Sequence, residues 1–240
     1  MLQILRKIRT YFIKPLRMFA TIVLLASFAS LWGGVFGTVA ISSDIEKSEN
    51  NKFEAGEWDD DLAVPLTQLD HIVITEVLYD DSSDDDTGKE WIELYNGTDG
   101  EVDMSGMDLF ATTGDDFIFP GGFKLSQFSF VVVHWNLVGS DSATDLYTGT
   151  SDSFDNMGNT SGWVALFKNS THSKDTIIDY LEYGAGGQTA ESKAADAGIW
   201  TAGDFIPDVN EGYSIEKKEK DIDLNKASEF KDQSIPTPKK

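Results

Sequence analysis

Cysteine is absent from all 240 residues, which removes disulfides, thiolate metal sites and cysteine nucleophiles from consideration. Histidine is almost absent. His71, His134 and His172 stand alone, with none of the paired spacings that metal sites use. Neither a Gly-x-Ser-x-Gly elbow nor a phosphate-binding glycine loop occurs. Basic residues are scarce and unevenly placed: 19 Lys and Arg stand against 41 Asp and Glu. Five of the 19 (Arg6, Lys7, Arg9, Lys14, Arg17) fall in the first forty residues, which hold no acid. The 14 that remain leave residues 41–240 at formally −27. So negative a body repels phosphate backbones and anionic lipid, which argues against nucleic acid as a partner and favours cations or basic proteins. The same acidity also serves plain solubility outside a cell. Finally, no window after residue 41 carries a strong helical period.

The chain does have apolar material, 40% hydrophobic and 12% aromatic, enough to bury a core. Residues 18–41, MFATIVLLASFASLWGGVFGTVAI, form an uncharged run of 24 behind the basic start. That run is long enough to span a bilayer as a helix. It equally fits a signal peptide, with small residues at Thr38–Val39–Ala40 for cleavage. Either way the upstream positive charges place the acidic body outside the membrane. Residues 1–41 are therefore expected to be a signal peptide or membrane anchor, residues 42–69 an acidic linker, and residues 70–238 the folded body. The location expected is extracellular or at the cell surface.

Within the body, period-two runs alternate with turn signals. In HIVITEVLYDDSSDDDTGKEWIELYN (71–96), two strands flank an aspartate-rich loop. Ile72, Ile74 and Leu78 fall on one parity, and Val73, Thr75, Val77 and Tyr79 on the other. Further strands are expected around 102–109, 117–120, 128–133, 163–167, 176–183 and 213–216, with long loops at 136–160 and 184–210. Seven to nine short strands make an all-β antiparallel sandwich. Alternation puts most of the tryptophans (Trp91, Trp135, Trp163, Trp200) in its core.

Two resemblances narrow this picture. Ser43–Asp44 followed by Asn51, Phe53, Ala55 and Gly56 resembles the export segment of the TasA/camelysin group of surface proteins, although the aromatic residue usual before Ser-Asp is missing. That likeness implies export. In the body, Ile74–Thr75–Glu76–Val77, Glu90–Trp91–Ile92–Glu93–Leu94–Tyr95–Asn96, Val102–Asp103–Met104–Ser105–Gly106–Met107, Val131–Val132–Val133, Trp163–Val164–Ala165–Leu166, Ile178–Asp179–Tyr180–Leu181, Tyr213–Ser214–Ile215–Glu216–Lys217 and Pro236–Thr237–Pro238 occur in order over roughly residues 70–238. The series resembles the lamin-tail domain, with Met104 and Met107 where that family usually has Leu and Trp. The resemblance implies an immunoglobulin-like sandwich acting as a non-enzymatic interaction module for a protein, glycan or envelope partner. A self-assembling surface protein and a carboxylate-based hydrolase are the alternatives.

Candidate chemistry is confined to carboxylates and sequons. Asp80, Asp81, Asp84, Asp85, Asp86 and Glu90 crowd one loop, and hard oxygen ligands suit calcium, the only cofactor in view. A solvated acidic loop is the plainer expectation. Asp221, Asp223, Asn225, Glu229 and Asp232 fall at calcium-loop positions 1, 3, 5, 9 and 12, but Lys226 occupies the place that needs glycine. Glu76, Glu93 and Glu182 lie in strands, where a pair of carboxylates can hydrolyse glycosides. Strand glutamates more often face solvent or hold backbone amides. Asn96, Asn159 and Asn169 head glycan-acceptor sequons.

Overall fold

A computed structural model describes residues 69–239 except Asp84, Asp86, 113–115 and 150–155. The expected signal peptide or anchor over 1–41, and all of the 42–69 linker except its last residue, lie outside the described residues. Among the described residues no helix is long and apolar enough to cross a membrane.

Twelve strands form (β1 Ile72–Leu78, β2 Trp91–Asn96, β3 Val102–Asp103, β4 Asp108–Ala111, β5 Asp116–Ile118, β6 Lys124–Leu125, β7 Phe130–His134, β8 Asp145–Tyr147, β9 Gly162–Phe167, β10 Ile177–Tyr183, β11 Ser214–Lys217, β12 Phe230–Gln233). The larger sheet runs β12-β11-β1-β2-β7-β8 and the smaller one β10-β9-β4-β5, with β3 and β6 pairing as a side ribbon. Among the described residues every pairing between these strands is antiparallel but one. β8, inside the long loop after β7, returns parallel to it. The 184–210 segment, where no period was legible, holds the helix α1 (Glu191–Ala197), ended by Gly198 at a φ of 77°.

Ile72, Ile74, Val77, Tyr79, Ile92 and Leu94 of the larger sheet share one buried cluster with Leu109, Ala111, Val164 and Leu166 of the smaller. The inward set of β1 departs from simple alternation because its register slips between Ile74 and Glu76. The extra residue, Thr75, is a β-bulge, which moves Val77 and Tyr79 onto the face that Ile72 and Ile74 already occupy. A second bulge lies between Ile177 and Asp179 in β10. The two irregularities answer each other. Asp179 Oδ2 accepts the Ile74 N–H at 2.6 Å across the sandwich, so a donor beside the β1 bulge is satisfied by a carboxylate beside the β10 bulge.

Burying Asp179 brings other charges with it. Lys217, 2% exposed at its side chain, bonds Asp223 and Glu229, both at 2.9 Å. His71 bridges Asp70 at 2.7 Å and Asp223 at 3.1 Å. Burial lowers the His71 imidazole, but the hydrogen bonds to Asp223 and Asp70 outweigh it and lift its pKa to about 9. Burial raises the Asp223 carboxyl, and contacts with His71 and Lys217 reverse that and hold it below the usual range. This cluster ties the entry to β1 to the 217–229 segment.

Outward-facing residues of β1 and β2 are covered too. Val73 and Tyr95 pack with Leu69 and Phe130, while Leu78 and Trp91 pack with Val132. On the smaller sheet, Phe110 meets Trp163 edge-on at 5.0 Å, and Trp200, following α1, meets Tyr180 edge-on at 5.5 Å. The four tryptophans placed in the core by alternation are all at most 7% exposed.

Candidate interaction surface

The loop between β1 and β2 is closed by its own aspartates. Asp81 Oδ1 accepts the Ser83 N–H at 3.1 Å and its hydroxyl at 2.6 Å. Asp85 Oδ1 accepts the Thr87 N–H at 3.1 Å. Both are turns in which an Asx side chain stands in for a backbone acceptor. Asp80 looks outward to two other loops: its carboxylate takes the Asn159 amide at 2.8 Å and its carbonyl takes the Gly212 N–H at 2.7 Å. Asn156 reaches Thr87 at 3.4 Å. Three loops from distant parts of the sequence are thus tied together at one end of the sandwich.

Glu90 has a different environment from the aspartates that precede it. It is fully buried, and its Oε2 accepts the Met157 N–H at 2.7 Å. Asp84 and Asp86 lie outside the described residues. Among the described residues no three His, Asp or Glu side chains converge closely enough to hold a metal ion. The carboxylates of the 221–232 segment disperse likewise. Asp221 takes Tyr95 O–H at 2.8 Å and Lys220 at 2.6 Å, and Asp223 and Glu229 are drawn to Lys217.

Of the three strand glutamates, the fold brings two together. Glu76 and Glu93 are register partners on β1 and β2, and Glu216 of β11 is the partner of Glu76 on its other side. Glu76 is 1% and Glu93 3% exposed. Ser214 O–H donates to Glu76 Oε1 and Thr75 O–H to Glu93 Oε1, each at 2.5 Å. The chain's own C-terminal segment supplies further donors: Thr237 N–H to Glu76 at 3.0 Å, and Lys239 N–H to Glu93. Burial pushes the Glu93 pKa up to about 7 against those hydrogen bonds, with Glu76 and Glu216 adding repulsion. Burial raises Glu76 as well.

Glu182 is on the other sheet and does structural work. It is fully buried and accepts Tyr180 O–H at 2.9 Å and Gln188 N–H at 3.0 Å. The three histidines are dispersed, each beside an aspartate: His71 as above, His134 with Asp145 at 3.1 Å, His172 with Asp108 at 2.8 Å. Asn159 and Asn169 of the sequons are at the surface. Asn96 is fully buried and its Nδ2 donates to the carbonyls of Gly100, Leu125 and Ser126, so in the folded chain it is a structural residue.

Residues 66–185 match the family described as Lamin Tail Domain. The matched stretch takes in β1 to β10 and stops before β11, β12 and the C-terminal segment. No curated protein matches the chain.

Proposed function

This chain belongs to the lamin tail domain family, and we propose that it works as an exported or surface-anchored interaction module, holding a protein, glycan or envelope partner through the loops at one end of its sandwich. The family consists of immunoglobulin-like, non-enzymatic domains. One observation carries the proposal. Loops 80–89, 156–161 and 207–212 are joined by the Asp80–Asn159, Asn156–Thr87 and Asp80–Gly212 hydrogen bonds into one surface that presents Asp81 and Asp85. Loops held on a rigid sheet scaffold are where binding residues concentrate, and the negative charge selects basic or cation-bearing partners. The basic start and uncharged run of residues 1–41 support export.

The other two functions draw less support. Assembly through sheet edges would use β5, β8, β10 or β12. Of these β5, β8 and β12 are only 3, 3 and 4 residues long, and β12 exposes Lys231 and Asp232. β10 is 7 residues long, but its outer edge is already bridged by Ile206, which bonds Glu182 and Gly184. Short, charged edges resist pairing. A glycoside hydrolase would use Glu76 and Glu93, which are 1% and 3% exposed and each hold a neighbouring hydroxyl of the sheet itself, Ser214 and Thr75. The test is capture from native envelope by the immobilised chain and by its Asp80→Asn/Asp81→Asn/Asp85→Asn variant, in which the side-chain oxygens that close the turns persist. The wild type should retain a partner that the variant loses at least tenfold. Equal capture by both would overturn the loop assignment.

A further inference from the structure

The C-terminal segment crosses the outer face of the larger sheet as an occupant of a carboxylate track. Residues 236–239 of the segment are Pro236–Thr237–Pro238–Lys239. The prolines remove two N–H groups, and Thr237, which precedes Pro238, is held extended; the chain then turns at Pro238–Lys239, where Lys239 has a φ of 71°. The two N–H groups that remain are both spent on the track: Thr237 on Glu76 at 3.0 Å and Lys239 on Glu93. The Lys239 ammonium then reaches Asp145 on β8 at 2.5 Å. Donors two residues apart in a chain extended at Thr237 are at most about 6 Å apart, close to the roughly 4.8 Å between neighbouring strands, so the segment can serve β1 and β2 in succession. Nothing comparable in apolar packing fastens it, since Ile235 is 73% exposed and Ser234, Pro238 and Lys239 are also exposed. A segment held by a few surface hydrogen bonds belongs to the least stable part of a fold.

We propose that residues 236–239 are a displaceable strap, and that the track Glu216–Glu76–Glu93–Asp145 beneath it takes a proline-spaced, lysine-bearing peptide of a partner in the strap's place. This surface is on the sheet face and is independent of the loop end. The strap is the partner's competitor within the same chain.

Protons bear on the exchange. The titratable and charged groups along the track are Glu216 on β11, Glu76 on β1, Glu93 on β2, His134 on β7 and Asp145 on β8, with Lys231 on β12 and Lys239 of the strap. Burial raises Glu76 and Glu93, the latter from 4.5 to about 7, so the covered track holds protons that an open, hydrated track releases. Cover therefore weakens as pH rises from about 4.5 to about 7, and weakens no further above that. Burial would raise Asp145 too, but Lys239, His134 and Thr144 hold it low, so its bond to Lys239 persists down into acid.

The probe is a fluorescent peptide of sequence Ser-Ile-Pro-Thr-Pro-Lys-Lys, titrated by anisotropy at pH 5 against the intact chain and a chain lacking residues 235–240. The shortened chain should bind at least tenfold more tightly than the intact one. Glu76→Gln/Glu93→Gln in the shortened chain should remove most of that gain. A shortened chain that melts normally and ignores the peptide, or equal binding by both chains, overturns the proposal. The intact chain gives a second readout that does not depend on the deletion. With no native cysteine, Ile235→Cys, at an exposed position leading into the strap, carries a single spin label, expected to be immobile at pH 5 and at least severalfold more mobile at pH 8. Peptide added at pH 5 should free it. A label equally mobile under all three conditions would also overturn the proposal.

Discussion

Two groups of buried carboxylates lie on opposite faces of the larger sheet, and folding treats them differently. Inside, Asp223 and Glu229 touch Lys217, and Asp223 also touches His71. Outside, Glu76 and Glu93 bond hydroxyls and backbone amides, while Lys231 and Lys239 pair with Glu216 and Asp145. The consequence is opposite in sign: Asp223 is held low and Glu93 is lifted to about 7. Asp179 marks the boundary between the cases. It lies in the interior group but accepts only amides, from Ile74 and Tyr180, and burial with repulsion from Asp223 raises it. Direct contact with a cation, rather than burial itself, decides whether a carboxylate here stays charged.

The largest way to break the contrast is to remove the interior cation. Lys217→Met keeps much of the volume and the contact with Phe230 but leaves Glu229 without its cation and Asp223 with His71 alone. Losing one partner of a buried pair costs about 3–5 kcal/mol, so the denaturation midpoint should fall steeply at pH 7. A loss below about 1 kcal/mol would mean that water reaches these carboxylates.

Glu93→Gln breaks the contrast from the other side, and should stabilise. A raised carboxyl lets wild-type stability fall between pH 4.5 and about 7, as the unfolded chain releases a proton that the folded chain keeps. The amide has no such slope, and the Thr75 hydroxyl can turn to accept from it. Thermal melts should match wild type near pH 4.5 and exceed it by about 1–2 kcal/mol at pH 8, less than the full shift because the strap can open. A variant less stable than wild type at pH 8 would show Glu93 to be charged and satisfied.

How much of this was readable beforehand depends on length and register. The strands 72–78 and 91–96 were legible because β-branched and aromatic residues alternate there over six or seven positions. The bulge at Thr75 was not, since one inserted residue reverses parity without changing composition. α1 and β8, at 7 and 3 residues, are too short for a period to show, and β12 was hidden in a charged tail. The site was legible as residue types only. Glu76, Glu93 and Glu182 look alike in sequence, and it is pairing that joins the first two and sends the third to the other sheet. Pro236–Thr237–Pro238 reads as the closing element of the lamin-tail series, but what it holds is visible only when the Thr237 and Lys239 N–H groups are seen on those carboxylates.

His71→Gln sharpens the interior case. The imidazole is raised to about 9, so its contribution is complete below pH 6.5 and fades as pH rises towards 9. The variant should lose about 1 kcal/mol at pH 6 and approach wild type above pH 9. That window lies above the Glu93 window, so the two substitutions should remove separate parts of the wild-type pH profile.

Lys231→Ala is the smallest and most diagnostic change. Lys231 pairs with Glu216 at 2.9 Å from the edge strand and is 43% exposed at its side chain. Exposed pairs contribute about 0–1 kcal/mol, so the melting temperature should scarcely move. The charge nevertheless faces the track and lowers Glu76. Without it both glutamates should be harder to ionise, and the fall in wild-type stability with pH should continue slightly further towards alkaline pH. The Glu93→Gln background is the control, because there the shift left to observe is that of Glu76 alone. If Lys231→Ala left the profile unchanged in both backgrounds, solvent would be screening the track, and the contrast between the two faces would rest on the interior cation by itself.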